Sequence, residues 1–125
     1  MPYSIEYDSV GIIRIKVQGA LSLAGIRDVA PGLAQLIKEK HCPRLLTDLR
    51  EAKLKLSMPD IYTLPKLVSE IASARDLPIH TLKRAIVVSQ DTKLAYFFET
   101  VSRNRVQNVQ LFYDDTSAQQ WLLIP

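Results

Sequence analysis

Apolar and polar residues alternate from Tyr3 to Tyr7 and again from Ile13 to Gln18. A period of two predicts half-buried strands over 3–7 and 12–18, joined through Asp8, Ser9 and Gly11 as an antiparallel hairpin. Gly19 is expected to end the second strand. The spacing then changes: Ile26, Val29, Leu33, Leu36 and Ile37 form one helical stripe behind a Ser22 cap. Pro31 and Gly32 fall inside it, so a kink or two short helices are expected. Lys38, Lys40 and His41 suit the last turn, where positive charge favours the helix dipole, and Pro43 prevents continuation.

A third strand is predicted over 44–49, and the strand, helix, strand order implies a right-handed crossover with parallel pairing. Residues 50–56 read as a loop, although Lys53-Leu54-Lys55-Leu56 alternates. Ser57, Met58, Pro59 and Asp60 form a helix start: Ser57 and Asp60 can cap each other's backbone amides, and Pro59 sits where a missing amide costs little. Ile61, Leu64, Val68, Ile71 and Ala72 face inward on that helix, Pro65 is expected to bend it, and Asp76-Leu77-Pro78 ends it.

Residues 85–88, Ala-Ile-Val-Val, are an uninterrupted apolar run rich in β-branched side chains, suited to a strand covered on both faces. A helix from Thr92 to about Arg103, with Asp91 as cap, carries Leu94, Phe97, Phe98 and Val101 on one face, and Asn104 is a natural terminator. A last strand over 109–113 leads into Asp114-Asp115 and a short helix that packs Ala118, Trp121 and Leu122. The fold class is therefore α/β, a mixed, mostly parallel five-stranded sheet with an antiparallel N-terminal edge, in the order β-β-α-β-α-β-α-β-α. Sites in such sheets gather at the carboxyl ends of the strands. Here that edge is expected to hold the loops 19–22, 50–57 and 89–91.

Composition narrows the function. At 125 residues with 47% hydrophobic content, the chain suits one domain, 1–125, with one core, and disorder is not expected. The net charge of +3 is a weak argument for nucleic acid. Arg50, Lys53 and Lys55, and separately Arg103 and Arg105, form basic clusters without interleaved aromatics, which read as solvated surface. Cys42, the single cysteine, fits a reducing compartment. Met-Pro-Tyr-Ser at the start is not a signal-peptide pattern, and no apolar stretch approaches the ~20 residues of a membrane span, so a cytoplasmic location is expected.

The order of elements and several local patterns resemble the STAS fold of the anti-sigma-factor antagonists, in particular the small bacterial SpoIIAA-like branch. The residues behind this are Arg44-Leu45-Leu46-Thr47-Asp48-Leu49-Arg50, then Lys83-Arg84-Ala85-Ile86-Val87-Val88. Leu111-Phe112-Tyr113-Asp114-Asp115 follows, with Ser117-Ala118-Gln119-Gln120-Trp121-Leu122 at the end. The resemblance covers nearly the whole chain, and its specificity lies in order and spacing. It implies a non-enzymatic regulatory or protein-binding module, with a phosphorylatable Ser or Thr at the start of the helix after the third strand. The family's usual stretch there is Asp-Ser-Ser/Thr-Gly-like; this chain has Leu56-Ser57-Met58-Pro59-Asp60.

Ser57 is thus a candidate phosphosite, although a plain helix cap explains it fully. Asp48 lies at the end of a parallel strand, where functional acids sit, or simply pairs with Arg50. The candidate ligand or partner surface is Asp48, Leu54, Leu56, Met58, Tyr62 and Ser89. Phe97, Phe98, Phe112 and Trp121 are expected in the core, part of them lining an apolar pocket. His41 and His80 have no metal-ligand spacing, and Ser22, Ser57 and Ser89 lack the G-x-S-x-G elbow of a hydrolase, so no catalytic residue, metal or cofactor is expected. The alternative function is a carrier of a small apolar or acyl ligand held beneath the helix bent at Pro65. Self-association as a homodimer is an expectation of the apolar residues at 53–58.

Overall fold

The two alternating N-terminal segments pair as the period of two requires. In the computed structural model, which describes residues 3–89, 93–104 and 107–124, strand β1 (Tyr3–Tyr7) runs antiparallel to β2 (Ile13–Leu21) with Ile5 opposite Ile15. Helix α1 (Leu23–Lys40) leads to β3 (Arg44–Leu54), then α2 (Met58–Ala74) and a single 3-10 turn (Ile79–Thr81). Strand β4 (Lys83–Val87), helix α3 (Lys93–Asn104), strand β5 (Asn108–Phe112) and helix α4 (Asp115–Leu122) complete the order. The strands lie β1-β2-β3-β4-β5 in one sheet, with β2 to β5 mutually parallel.

Strand β4 is interior, held by β3 on one side and β5 on the other. Ala85, Ile86, Val87 and Val88 are no more than 8% exposed. Val88 lies just past the strand end, but its amide still donates to Phe112 O at 2.9 Å. The pleat sends alternate residues to opposite faces. Ala85 and Val87 meet Ile12, Leu46, Ala118 and Leu122 on the face covered by α4. Ile86 and Val88 meet Ile61 and Leu64 of α2 and Phe98 of α3 on the other face. Farther along that second face, Ile15 and Val17 pack with Ile37 of α1 and Ala72 of α2.

Three expectations are corrected. Gly19 does not end the second strand. It takes φ 78°, open to glycine without a steric penalty, and the strand continues. After an irregularity between Lys16 and Gln18, residues Gln18 to Leu21 pair with Glu51 to Leu54, and Lys55 N donates to Leu21 O at 2.8 Å. For the same reason the segment after Leu49 is strand rather than loop as far as Leu54. The supposed loops at 19–22 and 50–57 are largely one two-stranded extension of the sheet. Finally, α1 is one helix through Pro31. Pro31 and its predecessor by four, Arg27, both lie on the exposed side, where the carbonyl left without an amide partner is open to water. The expected Asp91 cap and Thr92 start lie outside the described residues, as do the side chains of Leu94 and Phe97.

Polar contacts tie α4 to the strands it covers. Arg14 donates to Asp8 Oδ2 at 2.6 Å, to Asp115 Oδ2 at 2.5 Å and to Gln119 Oε1 at 2.6 Å, which fixes α4 to the N-terminal hairpin. Lys83 Nζ donates to the Trp121 and Ile124 carbonyls and lies over the Trp121 ring.

Candidate functional site

The start of α2 is built as its sequence predicts. Ser57 is extended (φ −81°, ψ 170°), and its Oγ accepts from Asp60 N at 3.2 Å. Ser57 N in turn donates to Asp60 Oδ2 at 2.9 Å, so the capping box is complete. Leu56, immediately before it, turns into the core at 9% exposure. Met58 and Tyr62 follow four residues apart, one helical turn, and stand out at 45% and 58%. Leu54, Leu56, Met58 and Tyr62 therefore surround one corner, with Ser57 between them.

Asp48 does not belong to that corner. It shares a strand face with Leu46, on the α4 side of the sheet, and is paired with its own neighbour. Arg50 N and Nε donate to Asp48 Oδ1 at 3.0 Å each, and Arg50 Nη2 donates to Oδ2 at 2.9 Å. The hydrogen bonds from the Arg50 side chain, and then from its backbone amide, outweigh burial and hold the carboxyl below its ordinary range. A carboxylate tied this way is ionised and occupied, unlike a general acid or base poised near neutrality. Ser89 is exposed just beyond β4, and its neighbours Gln90 and Asp91 lie outside the described residues.

The second face of the sheet holds a cavity. One lobe of about 160 Å³ opens between β3, β4 and the helices, lined by Leu54, Leu56, Leu64 and Phe98 among others. A second lobe of about 140 Å³ runs on between α1 and α2. Among the described residues, the lining of both is apolar except for Thr47 in the first and Arg84 in both. Phe98 is the one described member of the expected aromatic group on this side; Phe112 and Trp121 stack on the α4 side, their ring centroids 5.6 Å apart.

Arg84 and Gln107 are functional candidates that sequence reasoning missed. Arg84 Nη1 donates to Gln107 Oε1 at 3.1 Å, and its guanidinium carbon lies 5.8 Å from the centre of the Phe98 ring. Gln107, 3% exposed, donates onward to Pro65 O at 2.8 Å and Ser69 Oγ at 2.9 Å, so it links the strand arginine to the middle of α2. Burial pulls the Arg84 guanidinium down to about 10. The signal was present in the sequence: counting by two from Ile86 and Val88 places Arg84 on their side of the sheet.

Among the described residues, no group of three His, Cys, Asp or Glu side chains gathers where it could hold a metal ion, and no helix is long and apolar enough to cross a membrane.

No family model matches the chain, and no curated protein sequence does. Solved structures do. An uncharacterised protein of the DUF3478 family with a SpoIIAA-like fold, from Shewanella loihica PV-4, superposes with a TM-score of 0.61 at 19% identity, covering 96% of this chain and 91% of that one. The chain has the SpoIIAA-like fold. The anti-sigma factor antagonist SpoIIAA in its unphosphorylated form gives a TM-score of 0.60 at 6% identity, covering 94% of each chain. An anti-sigma factor antagonist from Mycobacterium paratuberculosis gives 0.53 at 18% identity, covering 96% of this chain and 92% of that one. At these identities the SpoIIAA-like likeness is one of fold, and the resemblance drawn from the order of the elements is to that same fold.

Proposed function

We propose that this chain is a non-enzymatic regulatory module, a single STAS-like domain over 1–125, which meets a protein partner at the first turn of α2. The observation that carries this reading is the exposed pair Met58 and Tyr62 beside the capped Ser57. Large apolar side chains in the open, next to a polar rim, suit contact with another protein. Two of the structural neighbours are antagonists of anti-sigma factors by name, proteins that act on other proteins, and one of them is described in an unphosphorylated form.

Ser57 is the switch in this reading. A phosphate on its Oγ brings up to two negative charges to a helix N-terminus, where free amides favour them. It also meets the Asp60 carboxylate, which holds the Ser57 amide at 2.9 Å. Two negative groups crowded into one capping box repel, so phosphorylation opens the box and reshapes the corner that carries Met58 and Tyr62.

A photo-crosslinking residue at position 62, in the full chain inside its own host, tests the reading. The expected result is one adduct with a different protein, absent when the same residue stands at Thr116 on α4 and lost in Ser57→Asp. Equal labelling from both positions, or an adduct of two copies of this chain, contradicts it.

A further inference from the structure

The cavity and its arginine carry an inference that goes beyond the protein-partner reading and does not depend on it. A guanidinium is always charged under ordinary conditions, and burying one without an anion is costly. Among the described residues, Arg84 is the only charged one lining either lobe. Its partners among the described residues are a neutral amide oxygen and an aromatic ring, and no described carboxylate forms an ion pair with it, although Arg14, Lys16 and Arg50 all have one. The guanidinium therefore borders an apolar cavity with a neutral acceptor and a ring, and no described carboxylate, as its partners.

The two lobes share Ile26, Val29, Leu33, Val68 and Arg84, so they meet at the cation. Apart from Arg84, all four shared residues are aliphatic and half-buried, which makes the seam between α1 and α2 the natural entrance. A dry cavity of about 150 Å³ lined by aliphatic and aromatic residues holds a six-carbon ring, and each lobe is of that size. The complementary molecule has one anionic end, held where the lobes meet, and a flexible hydrocarbon tail that enters one of them.

We propose that this cavity binds a medium-chain acyl carboxylate, with the carboxylate paired to Arg84 and the tail lying between the sheet and helices α1 and α2. Arg84 presents the planar fork that accepts a carboxylate through two parallel hydrogen bonds. Gln107 holds the fork in place, because its own amide is fixed by Pro65 O and Ser69 Oγ. Removing each tail methylene from water strengthens binding further. Through Gln107 the bound headgroup is mechanically tied to α2.

The experiment is a titration of the full chain with decanoate, followed by ¹⁵N correlation spectra that include the arginine Nε–H signals, with 1-decanol and acetate as comparisons. Saturable binding of decanoate is expected, with shifts concentrated at Arg84 Nε–H and at the amides of α1 and α2. Decanol keeps the tail without the charge and is expected to bind about tenfold more weakly or worse; acetate is expected not to bind. Arg84→Gln, which keeps a polar partner for Gln107, is expected to bring decanoate down to the affinity of decanol. Leu33→Trp, which fills the junction of the lobes, is expected to abolish binding of both and guards against a misfolded arginine variant. Equal affinity for decanoate and decanol, unchanged decanoate affinity in either folded variant, or shifts confined to the α4 face would overturn the proposal.

Discussion

Asp48 and Arg84 sit on neighbouring strands, and each shows how a single charged side chain reads its surroundings. Asp48 is satisfied by Arg50 two residues on, across 2.9–3.0 Å. Its folded-state pKa is lowered, so the pair stabilises the fold above the unfolded value of about 3.9 and the contribution is lost as pH falls through the lower folded value. Arg50 is 40% exposed at its side chain, which limits the pair to about 1 kcal/mol. Asp48→Asn is therefore expected to lower stability by about that amount near pH 7 and by less near pH 2, as the parent carboxyl takes up its proton. Denaturant unfolding at the two pH values checks it; an equal loss at both points to packing instead. Arg84 has the opposite situation, a charge with no counter-charge among the described residues. In the sequence, a residue flanking the apolar run 85–88 resembles a strand end. Only the parity of the strand places it inward.

At the scale of elements, caps and periodicities were legible and interruptions were not. Ser22, Ser57 and Asp114 all cap helices through their side chains, because local hydrogen bonding is decided by adjacent residues. The continuation of β2 and β3 was hidden, because Gly19 and the Arg50–Lys53 charges look like loop until each strand supplies the other's ladder. Proline has different meanings in α1 and α2. Pro31 is exposed and only removes an amide, whereas Pro65 is fully buried and its carbonyl receives Gln107. Pro31→Ala restores the missing bond and is expected to raise the melting temperature, by about 1 kcal/mol or more of stability. Pro65→Ala empties core volume and is expected to give no such gain. Thermal unfolding of the two variants separates these outcomes, and a loss from Pro31→Ala contradicts the assignment of Pro31 to the solvent side.

For the whole molecule, the order of helices and strands followed from periodicity, apolar runs, caps and turn residues, and the resemblance to the SpoIIAA-like fold rested on that order and on local patterns. The candidate surface was legible in part. Leu54, Leu56, Met58 and Tyr62 share one corner because they are close in sequence, whereas Asp48 faces the opposite side of the sheet and the cavity depends on residues from strands β2 to β5 and helices α1, α2 and α3. Everything else hangs on β4 lying between β3 and β5 with helices α2 and α3 over one face and α4 over the other. Native-state amide hydrogen exchange tests that arrangement most directly. The amides of Ala85, Ile86 and Val87 are expected to exchange only through global unfolding, far more slowly than those of the edge strand β1; exchange of the three as fast as Ser4 and Glu6 would contradict it.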